Sequence, residues 1–265
     1  MEQHEKNNLT QKHEYDHFTV TSINTYCPLE WIDSNAPIKN AINLMLDKQY
    51  SQLPVFDNND CIGSVTLESM LHVIANQAHK SNLTSSFLDW PVKRFVDSTT
   101  KYARSDDDLL EHAEIMANEG YILIGDHKNV KSILTNCDLV RFLKLKTEPF
   151  LLLREIETSL RYIIYKTLRT QKLESALQTI RTQNGLKATK LEELTLNDLR
   201  QIVTSSWADL KKIFIDKKET SKQLEKVRQL RNQILHFKGH LIASHLHELR
   251  LLRNKFIKMA KQFKD

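Results

Sequence analysis

The sequence predicts an α+β, multi-domain protein: an N-terminal α/β half followed by an all-α helical bundle. Three observations predict it. Short apolar runs alternate with helical stripes up to about residue 146, and after that strand signals stop. The 265 residues leave room for two modest domains, each with its own core. Charge divides along the same line: residues 1–147 hold 14 basic and 20 acidic side chains, net −6, whereas residues 148–265 hold 24 and 13, net +11. Phosphates are the natural counter-charge for the rear half.

Hydrophobic residues at 40% and charged residues at 27% fit a globular protein, and only five glycines and five prolines leave little irregular chain. No apolar run approaches the roughly 20 residues a membrane span needs, so no membrane partner is expected. The opening stretch MEQHEKNNLTQKHEYDH has no apolar core and reads as a flexible tail over residues 1–18 rather than a secretory signal. Cys27, Cys61 and Cys137 are odd in number and widely spaced, which points to a reducing, cytoplasmic setting.

The front half contains one pattern twice. In the first copy, residues 36–48 carry apolar side chains at 38, 41, 42, 45 and 46, a helical stripe. QLPVF (52–56), the turn DNND (57–60) and CIGSVT (61–66) read as strand, turn and strand, and residues 67–77 as a helix. In the second copy, SDDD (105–108) opens a helix over 108–120, where acids favour the dipole. YILIGD (121–126) and VKSILT (130–135) are strands, and 136–145 is a helix. A repeat of this kind decides the architecture of the half.

The segments SQLPVFDNNDCIGSVTLESML and SILTNCDLVRFL resemble a tandem pair of CBS domains, a Bateman module, over residues 19–146, divided into about 19–80 and 90–146. The resemblance implies a compact α/β pair with nucleotide clefts and an adenine nucleotide, AMP- or ATP-like, as regulatory ligand. In that family a strand-end Thr or Ser and an Asp three residues later hold phosphate and ribose. Thr135 and Asp138 match both positions. The first copy keeps Thr66 but has Ser69 in place of the Asp, and the second has Ser132 where a glycine is usual. The same Thr-x-x-Asp spacing also describes a helix cap.

From residue 147 to 265 the periodicity is helical throughout. A helix is expected to begin at Pro149, with apolar residues at 152, 153, 156, 160, 163, 164 and 168. Residues 172–183 continue or repeat it, and Asn184-Gly185 stops it. Thr195 and Asp198 cap a helix over 195–214, and two more follow at 221–237 and 242–263. Short connections make this a bundle.

On the helix over 221–237, Arg228, Asn232 and His236 share one stripe, and Leu224, Val227, Leu230 and Ile234 line another. Arg231 is five residues from His236, about 140° round the helix, so a second protomer is the natural way to bring the two together. RNQILHF, preceded by LTLNDLRQIVTSSWADLKKIF with Trp207, resembles the HEPN superfamily in its Swt1-type branch, over residues 148–265. The resemblance implies a homodimeric endoribonuclease that needs no metal or other cofactor for catalysis. His236 would be general acid or base for attack by the RNA 2′-OH, Arg231 would hold the scissile phosphate, and Asn232 would orient it. Glu157 and Arg161 would support the site, although their i, i+4 spacing also describes a surface pair. The product would carry a 2′,3′-cyclic phosphate, and the setting would be toxin-like or defensive.

Together these readings give a nucleotide-regulated endoribonuclease with RNA, a nucleotide and a second copy as partners. The alternative is a nucleotide-sensing protein that binds RNA or a partner without cutting. A DNA regulator would need a helix-turn-helix, which the sequence does not offer. His236, His240, His245 and His247 have no cysteine beside them, so no metal site is expected.

Overall fold

The computed structural model describes residues 18–23, 28–79, 85–185, 190–236 and 243–263. Most of the expected tail, Cys27, and the residues Phe237, Gly239 and His240 lie outside the described residues. The chain divides into two compact units, the first ending at Phe142 and the second beginning at Leu143.

The front unit is built from two copies of one element order. The first copy runs β1 (Ile32–Asp33), α1 (Ile38–Lys48), β2 (Gln52–Asp57), β3 (Asp60–Thr66) and α2 (Leu67–His79). After β4 (Val96–Asp97), the second runs β5 (Tyr102–Ala103), α3 (Leu109–Glu119), β6 (Tyr121–Asp126), β7 (Asn129–Thr135) and α4 (Asn136–Thr167). In each copy the two-residue first strand pairs parallel with the second, which forms an antiparallel hairpin with the third. The sheets are ordered β1-β2-β3-β4 and β5-β6-β7. Ile38, Leu53, Val55, Val65 and Phe95 fill one core, and Leu109, Met116, Ile122 and Leu134 the other. Tyr121 and Leu123 of the second copy pack with Cys61 of the first.

The hairpins differ in one instructive way. Each carries a bulge, so that one strand has an extra residue. In the first copy Gly63, at φ 135°, lies on the later strand, opposite Val55. In the second copy Ser132 takes that place opposite Ile124, and Gly125, at φ 120°, sits on the earlier strand. The glycine missing at Ser132 has moved across the hairpin. A Cβ at Gly125 would lie 2.0 Å from the Asn129 carbonyl oxygen, so only glycine fits there.

The rear unit is helical. It holds most of α4 with α5 (Thr170–Asn184), α6 (Leu196–Ser205), α7 (Trp207–Phe214), α8 (Lys217–Leu235) and α9 (Ala243–Lys261). Ile156, Leu160, Ile163, Leu199, Leu210, Val227, Leu249 and Phe256 form its core. Gly185, at φ 63°, ends α5 by donating its N–H to Arg181. Arg250 and Arg253 of α9 grip Glu148 and Glu155 of α4, each through two hydrogen bonds of 2.5–3.1 Å.

Two expected boundaries are corrected. The helix expected to begin at Pro149 instead starts at Asn136, with Pro149 inside it. Proline there forfeits one backbone bond, and Leu152, Leu153 and Ile156, buried beyond it, hold the helix together. The helix expected over 195–214 is two. Thr204 and Ser205 turn their hydroxyls back on the Arg200 and Ile202 carbonyls, and the backbone leaves helical geometry at Ser206.

Candidate active site

The rear-unit candidates gather where α4 faces α8. Along α4, Arg154, Glu157 and Arg161 are spaced i, i+3, i+7 and so share a face. Leu153 and Ile156 beside them are buried, which turns that face towards α8. Asp216 caps α8 by accepting from the Glu219 N–H at 2.8 Å, and the buried stripe Leu224, Val227, Leu230 and Ile234 fixes its rotation. Arg231, next to that stripe, reaches α4.

Glu157 is the hub. One carboxylate oxygen accepts from Arg231 Nε at 3.2 Å and the other from Arg161 Nη2 at 3.2 Å. Arg161 also donates to the Leu191 carbonyl at 3.1 Å and the Leu194 carbonyl at 2.9 Å. The Glu157–Arg161 spacing therefore does not describe a mere surface pair. Their side chains are only 19% and 20% exposed, and they tie α4 to the turn at 191–193. Arg231, at 30%, keeps part of its guanidinium open.

These residues line a cleft of about 220 Å³ with Phe150, Leu153, Arg154 and Leu235. Three arginines face one carboxylate. Arg154 is exposed and has no ion-pair partner among the described residues. The cleft is thus an electropositive recess with one uncommitted guanidinium and one partly committed one, suited to a phosphate. Sequence reasoning missed Arg154, although its spacing from Glu157 and Arg161 was the available signal.

Asn232 is half-buried, and no described residue hydrogen-bonds its side chain. His236 ends α8, exposed, with its main-chain N–H on the Asn232 carbonyl at 3.2 Å. It is not part of the cleft lining, which ends at Leu235. Within one protomer the structure thus brings Arg231 to Glu157 and Arg161, and does not bring His236 to them. Arg228, on the His236 stripe, is committed to Glu225 at 2.6 and 3.0 Å. Among the described residues no group of three or more His, Cys, Asp or Glu could hold a metal ion, and no helix is long and apolar enough to cross a membrane.

In the front unit the strand-end pairs are helix caps. The Asp138 carboxylate accepts from the Thr135 N–H at 3.0 Å and from its hydroxyl at 2.5 Å. Its other oxygen lies 3.7 Å from Arg141. In the first copy the Thr66 N–H donates to the Ser69 hydroxyl at 2.9 Å, and the Ser69 N–H returns to the Thr66 hydroxyl at 2.9 Å. The caps share a geometry, but only the second carries a charge. Thr66, Ser132 and Thr135 are all half-buried at the strands.

Residues 20–76 match the family model of the CBS domain. The matched segment lies within the front unit. Residues 102–142 repeat the element order and cap of that domain. Solved structures similar to this chain include protein MJ1225 from Methanocaldococcus jannaschii, at 19% identity, TM-score 0.43, over 47% of this chain and 49% of that one. CBSX2 in complex with AMP is similar at 22% identity and TM-score 0.40, over 49% and 98%. The CBS domain pair of MJ0100, in complex with 5′-methylthioadenosine and S-adenosyl-L-methionine, is similar at 19% and TM-score 0.39, over 49% and 98%. The chain spans about half the length of MJ1225. No curated protein sequence matches it.

Proposed function

We propose that the protein is a nucleotide-regulated, metal-independent endoribonuclease of the HEPN type. The observation that carries this reading is the cleft of Arg154, Arg161 and Arg231 around Glu157, at the helix that also presents Asn232 and His236. Arg231 binds the scissile phosphate and Glu157 holds its guanidinium in place. His236 of a second copy takes the 2′-OH proton as the 2′-oxygen bonds to phosphorus and the P–O5′ bond breaks, the 5′-oxygen leaving as a hydroxyl with a proton from water. A composite site of this kind explains why His236 stands outside the cleft of its own chain. RNA supplies its own nucleophile, so the residues needed are a cation, a proton carrier and an orienting amide.

The CBS half acts as the sensor, with an adenine nucleotide at Thr135, Asp138 and Ser132 and a weaker counterpart at Thr66. Regulation requires that the nucleotide prefer one arrangement of two protomers over another.

The deciding experiment is cleavage of a mixed RNA pool in EDTA by wild type and His236→Ala, with and without AMP or ATP. Cutting by wild type alone, leaving 2′,3′-cyclic phosphate ends, is the expected result. RNA binding without cutting under any of these conditions would replace the reading with a nucleotide-sensing RNA-binding protein.

A further inference from the structure

The connection from α7 to α8 is built against backbone preference. Ile215 sits at φ 61°, ψ −62°, and the Asp216 N–H donates to the Phe214 carbonyl at 2.7 Å. This is a three-residue turn of a strained kind that β-branched residues rarely adopt. The Ile215 side chain is 84% exposed, so no burial offsets the strain. Lys211 and Lys212 precede it, and Lys217 and Lys218 follow. All four are exposed, and none has an ion-pair partner among the described residues. Lys217 and Lys218 open α8, the end of a helix where cations are disfavoured. The nearby acids are engaged: Asp216 caps α8, and Glu219 accepts from Gln223 at 2.6 Å.

A strained apolar side chain held into solvent, and two lysines at the wrong helix end, both work against stability. Such features persist where they serve binding. We infer that the Ile215 turn is a docking element for single-stranded RNA, with Ile215 against a base and the four lysines on successive phosphates. The choice of RNA over another polyanion rests on the ribonuclease reading. A lone apolar residue flanked by cations on both sides suits a strand with alternating bases and phosphates, whereas a membrane surface needs a broad apolar face.

The test uses the full chain carrying His236→Ala to block turnover. Binding of a labelled single-stranded RNA is read at 50 and 200 mM salt. Four phosphate contacts at about 0.7 each in the log–log slope contribute about 50-fold weaker binding across that range, on top of any contact at the Arg231 cleft. Lys217→Ala/Lys218→Ala should reduce this to about sevenfold. Ile215→Gly should weaken binding while melting at or above the wild-type temperature, which a structural role for Ile215 would not produce. The inference is overturned if the RNA does not bind, if the lysine variant keeps the wild-type salt slope, or if Ile215→Gly melts lower with binding unchanged. Patch-dependent binding to phosphatidylserine vesicles but not to RNA also overturns it. Patch-dependent RNA binding without cleavage by the His236 protein sustains the inference and removes the nuclease reading. Cleavage with patch-independent binding does the reverse.

Discussion

Glu157→Gln should loosen the rear unit and the candidate site together. The wild-type carboxylate takes one hydrogen bond from each of Arg161 and Arg231. Fully buried, a charged hydrogen bond is worth about 1.5–3 kcal/mol, and an exposed ion pair about 0–1. Side chains 19–30% exposed fall between, at about 1 kcal/mol each. The glutamine amide still offers one acceptor, so the expected loss is about 1–2 kcal/mol. With a urea dependence of about 1.5 kcal/mol/M, the midpoint falls by about 1 M. Trp207 is the one tryptophan of the rear half, so its fluorescence in a Trp31→Phe/Trp90→Phe background reports this unit alone. A double-mutant cycle with Arg231→Gln should return a coupling of about 1 kcal/mol. On the proposed ribonuclease reading the functional signs are opposed: one negative charge fewer should strengthen RNA binding, while a released Arg231 should weaken cleavage. A midpoint equal to wild type, with no coupling to Arg231, would refute the reading of Glu157 as the hub.

Gly125→Ala should destabilise the front unit by about 2–3 kcal/mol or more, because φ 120° is strained for alanine and its Cβ meets the Asn129 carbonyl. Urea unfolding followed through Trp31 and Trp90 measures this, and a shift under ~0.5 kcal/mol would show that the bulge relaxes. Hydrogen bonds from Arg250 and Arg253 hold the Glu148 and Glu155 carboxyls below their usual value. The stability this contributes is present above the ordinary glutamate range, near pH 4.3–4.5, and is lost as pH falls through the lowered values. Glu148→Gln/Glu155→Gln should therefore show a flatter decline of the rear-unit midpoint in acid, and an unchanged decline would count against the latch. Burial pushes the Tyr121 phenol above its usual 10. The folded form then holds that proton more tightly, so stability is full below pH 10 and declines above it. Tyr121→Phe should lessen the alkaline decline, measured by urea midpoints from pH 9 to 11.

The elements legible in the sequence were those long enough to show a period. The helices over 38–48 and 67–79 and both hairpins lie where the apolar spacing put them. The strands β1, β4 and β5 did not appear, because two residues cannot display an alternation. Pro149 misplaced a helix start, since its local preference for the first turn was outweighed by burial on either side. Ser132 looked like a lost glycine for a related reason. Strand pairing, which a linear reading does not contain, moved the need for glycine to Gly125.

For the site, spacing identified residues but not their commitments. Arg228 and Arg231 lie three residues apart on one helix, both beside its apolar stripe. Their fates differ because Glu225 lies three residues before Arg228 on its own helix, whereas Arg231 meets Glu157, 74 residues earlier in the chain. A local partner can be read from spacing, and a distant one cannot. The distant partner is also the informative one. An arginine held from across the bundle keeps part of its guanidinium open, and Arg154 beside it has no ion pair among the described residues, so both leave donors free for an anion. The caps of the front unit make the same point in reverse. Thr135 and Asp138 are fully explained by local bonding, so the nucleotide proposed there would have to draw on the carboxylate oxygen facing Arg141. Binding at that place should therefore respond to Arg141 as well as to Asp138.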